Sequence, residues 1–122
     1  MILADSSVWI DHLRKGDPQL ADLLLREQMV MHTMVLGELA CGSLKDRKRV
    51  LLLWRRLPGL EAASDEIAMQ FLERHRLMSR GIGYVDVHLL AAVAERQGAR
   101  LWTKDRRLAD IAQELELGFP LP

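Results

Sequence analysis

The stretch Met1-Ile-Leu-Ala-Asp5-Ser6-Ser7-Val8-Trp9-Ile10-Asp11 decides how the rest of the chain is read. Its first four residues are an apolar run too short for a helix and suited to a buried strand. The run stops on the carboxylate of Asp5. Two hydroxyls follow, Ser6 and Ser7, and apolar spacing resumes at Val8, Trp9, Ile10 and Leu13. The pattern is strand, polar corner, helix, with Ser6 or Ser7 as the helix cap. Ligands of open α/β sheets sit in the crevice beyond the carboxyl ends of the strands. Position alone therefore puts Asp5 where a site would be.

Working outward, Lys15-Gly16-Asp17-Pro18 reads as a turn with Asp17 as N-cap and Pro18 at the first helical position. That helix runs to about Glu27, and Met29 to His32 is a second strand, buried on both faces. Thr33 caps a helix through Gly42. Ser43 to Leu57 is a further helix, stopped by Pro58-Gly59, and Leu60 to Ala63 is a short third strand. Ser64 or Asp65 caps a long helix to Arg80, ended by Gly81. Another runs from about Val85 to Gln97 and stops at Gly98. Arg100 to Thr103 is a strand, Arg106 to Leu115 a helix, and Leu117 to Phe119 a last edge strand. Short β-rich runs alternating with helices predict an α/β fold with a parallel sheet covered on both faces. No repeat, linker or low-complexity segment divides residues 1–122, so one domain is expected.

With 49% hydrophobic and 28% charged residues, the chain has the profile of a soluble globular protein. No apolar run approaches the ~18 residues of a membrane span, and no signal peptide precedes the first strand. The single cysteine, Cys41, has no internal partner, so a reduced, cytoplasmic setting is expected. One turn beyond Glu38, it reads as a buried structural thiol rather than a nucleophile. Lysine plus arginine balance aspartate plus glutamate at 17 each, so no global charge demands a polyanion. Basic residues nevertheless cluster: Lys45, Arg47, Lys48, Arg49, Arg55 and Arg56, then Lys104, Arg106 and Arg107. They are solvated helix faces or local polyanion contacts.

Most acids fall on polar helix faces or at helix starts, but four do not. Asp5 ends the first strand, and Asp105 follows the Leu101-Trp102-Thr103 strand by two residues. Glu38 shares a helix face with Met34, Val35 and Cys41, where a leucine would be expected. Asp86, in the first turn of its helix, shares a face with Leu89, Leu90 and Val93. Isolated buried carboxylates are costly unless paired, protonated or bound to a cation. If the four converge, their oxygens suit magnesium or manganese. Ser7 and Thr103, beside two of these acids, would orient a carboxylate or a bound water. Taken singly, Asp5 and Asp105 are ordinary caps. The four histidines, His12, His32, His75 and His88, lack metal-ligand spacing.

Four blocks carry a resemblance: Ile2-Leu3-Ala4-Asp5-Ser6-Ser7-Val8-Trp9-Ile10, Val35-Leu36-Gly37-Glu38-Leu39, Gly83-Tyr84-Val85-Asp86-Val87-His88-Leu89-Leu90-Ala91-Ala92 and Leu101-Trp102-Thr103-Lys104-Asp105-Arg106-Arg107-Leu108. In this order, with an acid in each, the chain resembles the PIN-domain ribonucleases, above all the VapC-type toxins of toxin–antitoxin systems. Ser6 stands where such proteins often carry threonine, and Leu108 where an aromatic is common. The resemblance implies a three-layer α/β/α sandwich with a small parallel sheet. It implies an endoribonuclease dependent on magnesium or manganese, with Asp5, Glu38, Asp86 and Asp105 as catalytic, metal-binding acids and Ser7 and Thr103 in support. Arg106, Arg107 and then Lys104 would contact the RNA substrate. A cognate antitoxin would neutralise the toxin, and a homodimer is expected. Trp9 and Trp54 are either partner-surface residues for that antitoxin or core; Trp102 reads as core.

Two rival readings remain on the residues. One is a catalytically inactive PIN-like module that binds RNA or protein. The other is a magnesium-dependent phosphatase with Asp5 as nucleophile, although such enzymes usually carry a second aspartate where this chain has Ser7.

Overall fold

The computed structural model describes residues 1–120; the last two residues of the expected 1–122 domain lie outside the described residues. Strand β1 (Ile2–Ala4) is central in a three-stranded parallel sheet, flanked by β2 (Met29–Val30) and β3 (Arg100–Trp102). Leu3 stands opposite both Val30 and Leu101. All three strands carry mostly buried residues, as continuous apolar runs in a doubly covered parallel sheet should. The expected outer strands are reduced to single bridges. Met31 bridges Gly59 on one side and Leu101 bridges Gly118 on the other.

Helices α1 (Ser6–Lys15), α2 (Pro18–Leu25), α3 (Thr33–Ala40), α4 (Arg47–Arg55), α5 (Asp65–Arg74), α6 (Tyr84–Glu95) and α7 (Arg106–Glu114) complete the fold. They pack in two sets: α1 with α3 and α3 with α4, and α5 with α6, which also lies on β3. Helix α6 is buried without a break from Val87 to Val93, as befits a helix sunk against the sheet. Asp17 caps α2 as expected, accepting from the Gln19 and Leu20 amides with Pro18 at the first position.

Several boundaries differ from expectation, each for a local backbone reason. Asp5 itself, not Ser6 or Ser7, caps α1, because its carboxylate reaches the Val8 amide. His32 rather than Thr33 caps α3, through Nδ1. Helix α4 starts only at Arg47, since Asp46 adopts a left-handed φ of 50°. Helix α5 ends at Arg74 rather than Arg80. Arg76 turns left-handed at φ 52° and drops Leu77 into the core.

The chain passes from β1 to β2 on one side and returns to β3 on the other. The strand order reverses between β1 and β3, and the carboxyl-end crevice at such a switch point is the general ligand site of open α/β sheets. The residues that directly follow those two strands are Asp5 and Thr103.

Candidate active site

Asp5 is 7% exposed and held on both sides. Ser7 Oγ donates to its Oδ1, and Thr103 Oγ1, 98 residues away in sequence, donates to its Oδ2. Each hydroxyl is itself anchored. Ser7 Oγ accepts the Lys104 amide, and Thr103 Oγ1 accepts the Asp105 amide, both at 3.0 Å. The two hydroxyls thus have their hydrogens aimed at one acceptor-only group. Two chains of hydrogen bonds, one from each strand end, converge on a single carboxylate. Ser7 and Thr103, the hydroxyls expected beside the acids, thus both contact Asp5.

The other three acids surround that point less tightly. Asp86, half-buried, uses Oδ2 to accept the Gly83 amide at 3.1 Å. Asp105, exposed, caps α7 by accepting the Leu108 amide through Oδ1 at 3.1 Å. Glu38 is exposed rather than buried among apolar residues. It lies near the end of a short helix, where its carboxylate reaches outward and accepts from Ser6 Oγ at 3.3 Å. Ser6 was missed as a site residue in the sequence; a hydroxyl directly after Asp5 reads locally as a cap.

The acids share one field. Burial pushes the Asp86 carboxyl upward, as do the charges of Asp5 and Asp105, against the opposing Gly83 amide. Glu38, though exposed, is raised by partial desolvation, opposed by the Ser6 hydroxyl and helped by the charges of Asp86 and Asp5. Mutual repulsion of this kind is relieved by a cation.

Among the described residues, no three His, Cys, Asp or Glu side chains close on a common metal-ligation point. The donor set still fits a magnesium-like ion, which keeps several waters and takes one or two carboxylates directly. Asp86, Asp105 and Glu38 each commit one oxygen to the protein and leave the other without a hydrogen bond among the described residues.

The expected cations separate. Lys104 pairs with carboxylates of α1 and the α2 cap, 2.8 Å from Asp11 and 3.5 Å from Asp17. Arg106 and Arg107 are exposed and enter no ion pair among the described residues. Arg107 packs on Gly81: a Cβ there would lie 2.6 Å from its Cδ and 2.7 Å from a terminal nitrogen. Gly81 also has φ +82°. Its missing side chain admits the arginine beside the loop that leads into Asp86. Gly81→Ala should cost about 1–2 kcal/mol of stability. Adding Arg107→Ala should return the steric part of that loss and leave the φ part, measured by chemical denaturation.

Of the two readings open for Trp9 and Trp54, burial selects the core, whereas Cys41 departs from the buried position expected of it. Trp9 and Trp54 are 2% and 4% exposed and pack edge-to-face at 5.9 Å, so neither presents a surface to a partner. They join α1 to α4 instead, since large aromatics gain most by burial. The apolar side chains that these two helices leave exposed are Ile10, Leu13, Leu52 and Leu53. Cys41 is exposed, because α3 ends at Ala40 and the chain turns away from the core. Trp102 is buried as expected, and among the described residues no helix is long and apolar enough to cross a membrane.

Comparison with known proteins agrees with this architecture. The sequence profile of the family described as PIN domain matches residues 2–114. Over 114 residues the chain is 45% identical to proteins described as Ribonuclease VapC32 from two strains of Mycobacterium tuberculosis, CDC 1551 / Oshkosh and H37Rv. The match covers 93% of this chain and 92% of each relative.

Proposed function

The chain belongs to the PIN domain family, and on that premise we propose that it is a VapC-type toxin, an endoribonuclease that hydrolyses RNA phosphodiester bonds with magnesium or manganese. The observation that carries the reading is Asp5, clamped by Ser7 and Thr103 at the switch point of the sheet and surrounded by three further acids. The rigid clamp fixes Asp5 before substrate arrives, and preorganised charge is what metal-assisted hydrolysis requires of the protein. Asp86, Asp105 and Glu38 offer their remaining oxygens to the same region. Asp5, Asp86, Asp105 and Glu38 would hold a divalent ion there, and it would supply Lewis-acid polarisation of the scissile phosphate and a lowered pKa for a bound water. Arg106 and Arg107 hold the RNA backbone without reading its sequence.

Residues 1–122 act as one PIN-like domain in the cytoplasm. A cognate antitoxin lays an apolar segment on side chains that α1 and α4 leave exposed, Ile10 and Leu13 on the first and Leu52 and Leu53 on the second. The toxin itself is a homodimer.

The test is purified protein with total RNA, with and without manganese, mapping the new ends. Cleavage should require the divalent ion, and full activity in excess chelator would end this reading. If the parent fails to cut but binds RNA as well as a variant lacking all four acids, the inactive binding module is correct.

Acid should act through the same groups. Asp86 and Glu38 hold protons to higher pH than an ordinary carboxylate of about 4. Protons therefore compete with the cation over a window that begins above that value. The manganese concentration for half-maximal cleavage should rise as pH falls through that window, and Glu38→Gln should shift the onset downward.

A further inference from the structure

The basic run from Lys45 to Arg56 has no part in the acid site, yet it holds the chain's charge asymmetry. Six cations stand there against one acid, Asp46, which leaves 11 cations and 16 acids for the rest of a chain that is neutral as a whole. Helix α4 carries Arg47, Lys48, Arg49 and Arg55, and Arg56 follows directly. Lys45, Lys48, Arg49, Arg55 and Arg56 are exposed, and none enters an ion pair among the described residues. A helix face that is merely solvated usually carries both signs, so that opposite charges meet one turn apart. Here like charges adjoin and repel, a state that a polyanion relieves. Arg47 fixes where this helix begins. Its guanidinium donates to the Ala40 carbonyl at 2.6 Å and to the Gly42 carbonyl at 3.3 Å. Those carbonyls lie at the end of α3, just beyond Glu38. Lys48 and Arg49, the next residues, are thus tied to the helix end that presents Glu38. Arg55 and Arg56 follow seven residues on, roughly 10 Å along the axis.

We propose that α4 is a second RNA-binding surface, a track of phosphate contacts for the strand where it extends beyond the scissile bond. Four acids repel an RNA backbone, so cations must hold it on either side of them. Arg106 and Arg107 adjoin Asp105, and the track adjoins the helix of Glu38, so the two groups attach to different members of the quartet. The contacts go to the backbone rather than to bases. The one aromatic ring of α4, Trp54, is buried, and base stacking needs an exposed ring. Phosphate contacts of this kind hold a strand without reading its sequence. RNA as the partner rests on the nuclease reading; the unpaired cations do not. An antitoxin seated on Leu52 and Leu53 of the same helix would cover the track, so neutralisation would also exclude RNA.

The test is RNA binding in excess chelator, which does not depend on cleavage. The probe is a fluorescent oligouridylate of about 30 nucleotides, long enough to pass the acids and reach α4, read by anisotropy against salt concentration. Lys48→Gln with Arg49→Gln, and Arg55→Gln with Arg56→Gln, should each weaken binding roughly ten-fold. Each pair should also lower the salt slope by about 1.4, since a single strand releases about 0.7 counterions per phosphate contact. Lys15→Gln with Arg26→Gln removes two cations that are already ion-paired, and should leave affinity and slope near the parent's. In cleavage, the Arg55 and Arg56 pair should raise KM for long RNA at unchanged kcat. A parent that does not bind the probe, unchanged affinity and slope in both α4 variants, or an equal loss in the Lys15 and Arg26 control would each overturn the proposal. Unchanged RNA binding would leave the cations to an acidic protein partner. A parent that binds the probe through α4 but cuts no RNA would instead sink the nuclease reading and leave the binding surface standing.

Discussion

Asp86→Asn should reduce divalent-dependent RNA cleavage by at least about 100-fold while the protein stays folded. Loss of a group that only orients a metal ligand already costs 10–100-fold, and loss of a ligand should exceed that. Folding should survive, because the asparagine carbonyl can accept the Gly83 amide that Oδ2 accepts now. A second measurement separates metal binding from chemistry. A ligand present at about a hundred times its Kd stabilises the native state by about 2.7 kcal/mol. For a domain of this size that is a Tm rise on the order of 10 °C. Manganese should raise the Tm of the parent, and Asp86→Asn should lose most of that rise. Equal stabilisation of both proteins by manganese would remove Asp86 from the metal site. Asp5→Asn should be equally inactive but less informative, because its amide would place a donor against the hydroxyls of Ser7 and Thr103.

Thr103→Val should have the second-largest effect, although Thr103 holds no metal itself. Valine matches threonine in shape and removes only the hydroxyl. That hydroxyl donates to Asp5 Oδ2 and accepts the Asp105 amide, so both are left unpaired at a site that is 4% exposed. Stranding buried polar groups costs about 1–3 kcal/mol each, and the Asp105 amide lies partly in solvent. A stability loss of about 2–3 kcal/mol is expected by denaturant titration, with a 10–100-fold fall in cleavage from misorientation of Asp5. Thr103→Ser, which restores the hydroxyl, should recover most of both. Activity of Thr103→Val within two-fold of the parent would show that Asp5 needs no anchoring from β3.

Much of the frame is legible in the sequence because it depends on local chemistry. Ile2–Ala4 is apolar and short, and it is a strand. Asp17-Pro18 starts a helix because the carboxylate takes two amides and proline lacks one to offer. The four acids stand out because carboxylates at strand ends and helix starts are unusual in combination. The less legible parts depend on faces and distances. Glu38 follows an apolar periodicity, yet α3 is too short to bury its last turn, so the carboxylate projects from the edge. Lys104 reads as a free cation beside Asp105 until the fold brings Asp11 and Asp17 to it. Trp9 and Trp54 read equally well as surface or core, because a helix pattern does not say which neighbour covers it.

The sequence by itself determined the identity of the acids, the hydroxyls beside them, and the alternation of strand and helix that sends strand ends to one edge. These follow from side-chain chemistry and periodicity within a few residues. Only the tertiary structure decided that Thr103 faces Asp5, that Ser6 holds Glu38, and that Arg107 lies on Gly81. Each depends on the parallel register of β1 against β3 or on the packing of one helix against another. Such contacts join residues tens of positions apart, where periodicity carries no information and the whole core must close before the partners meet.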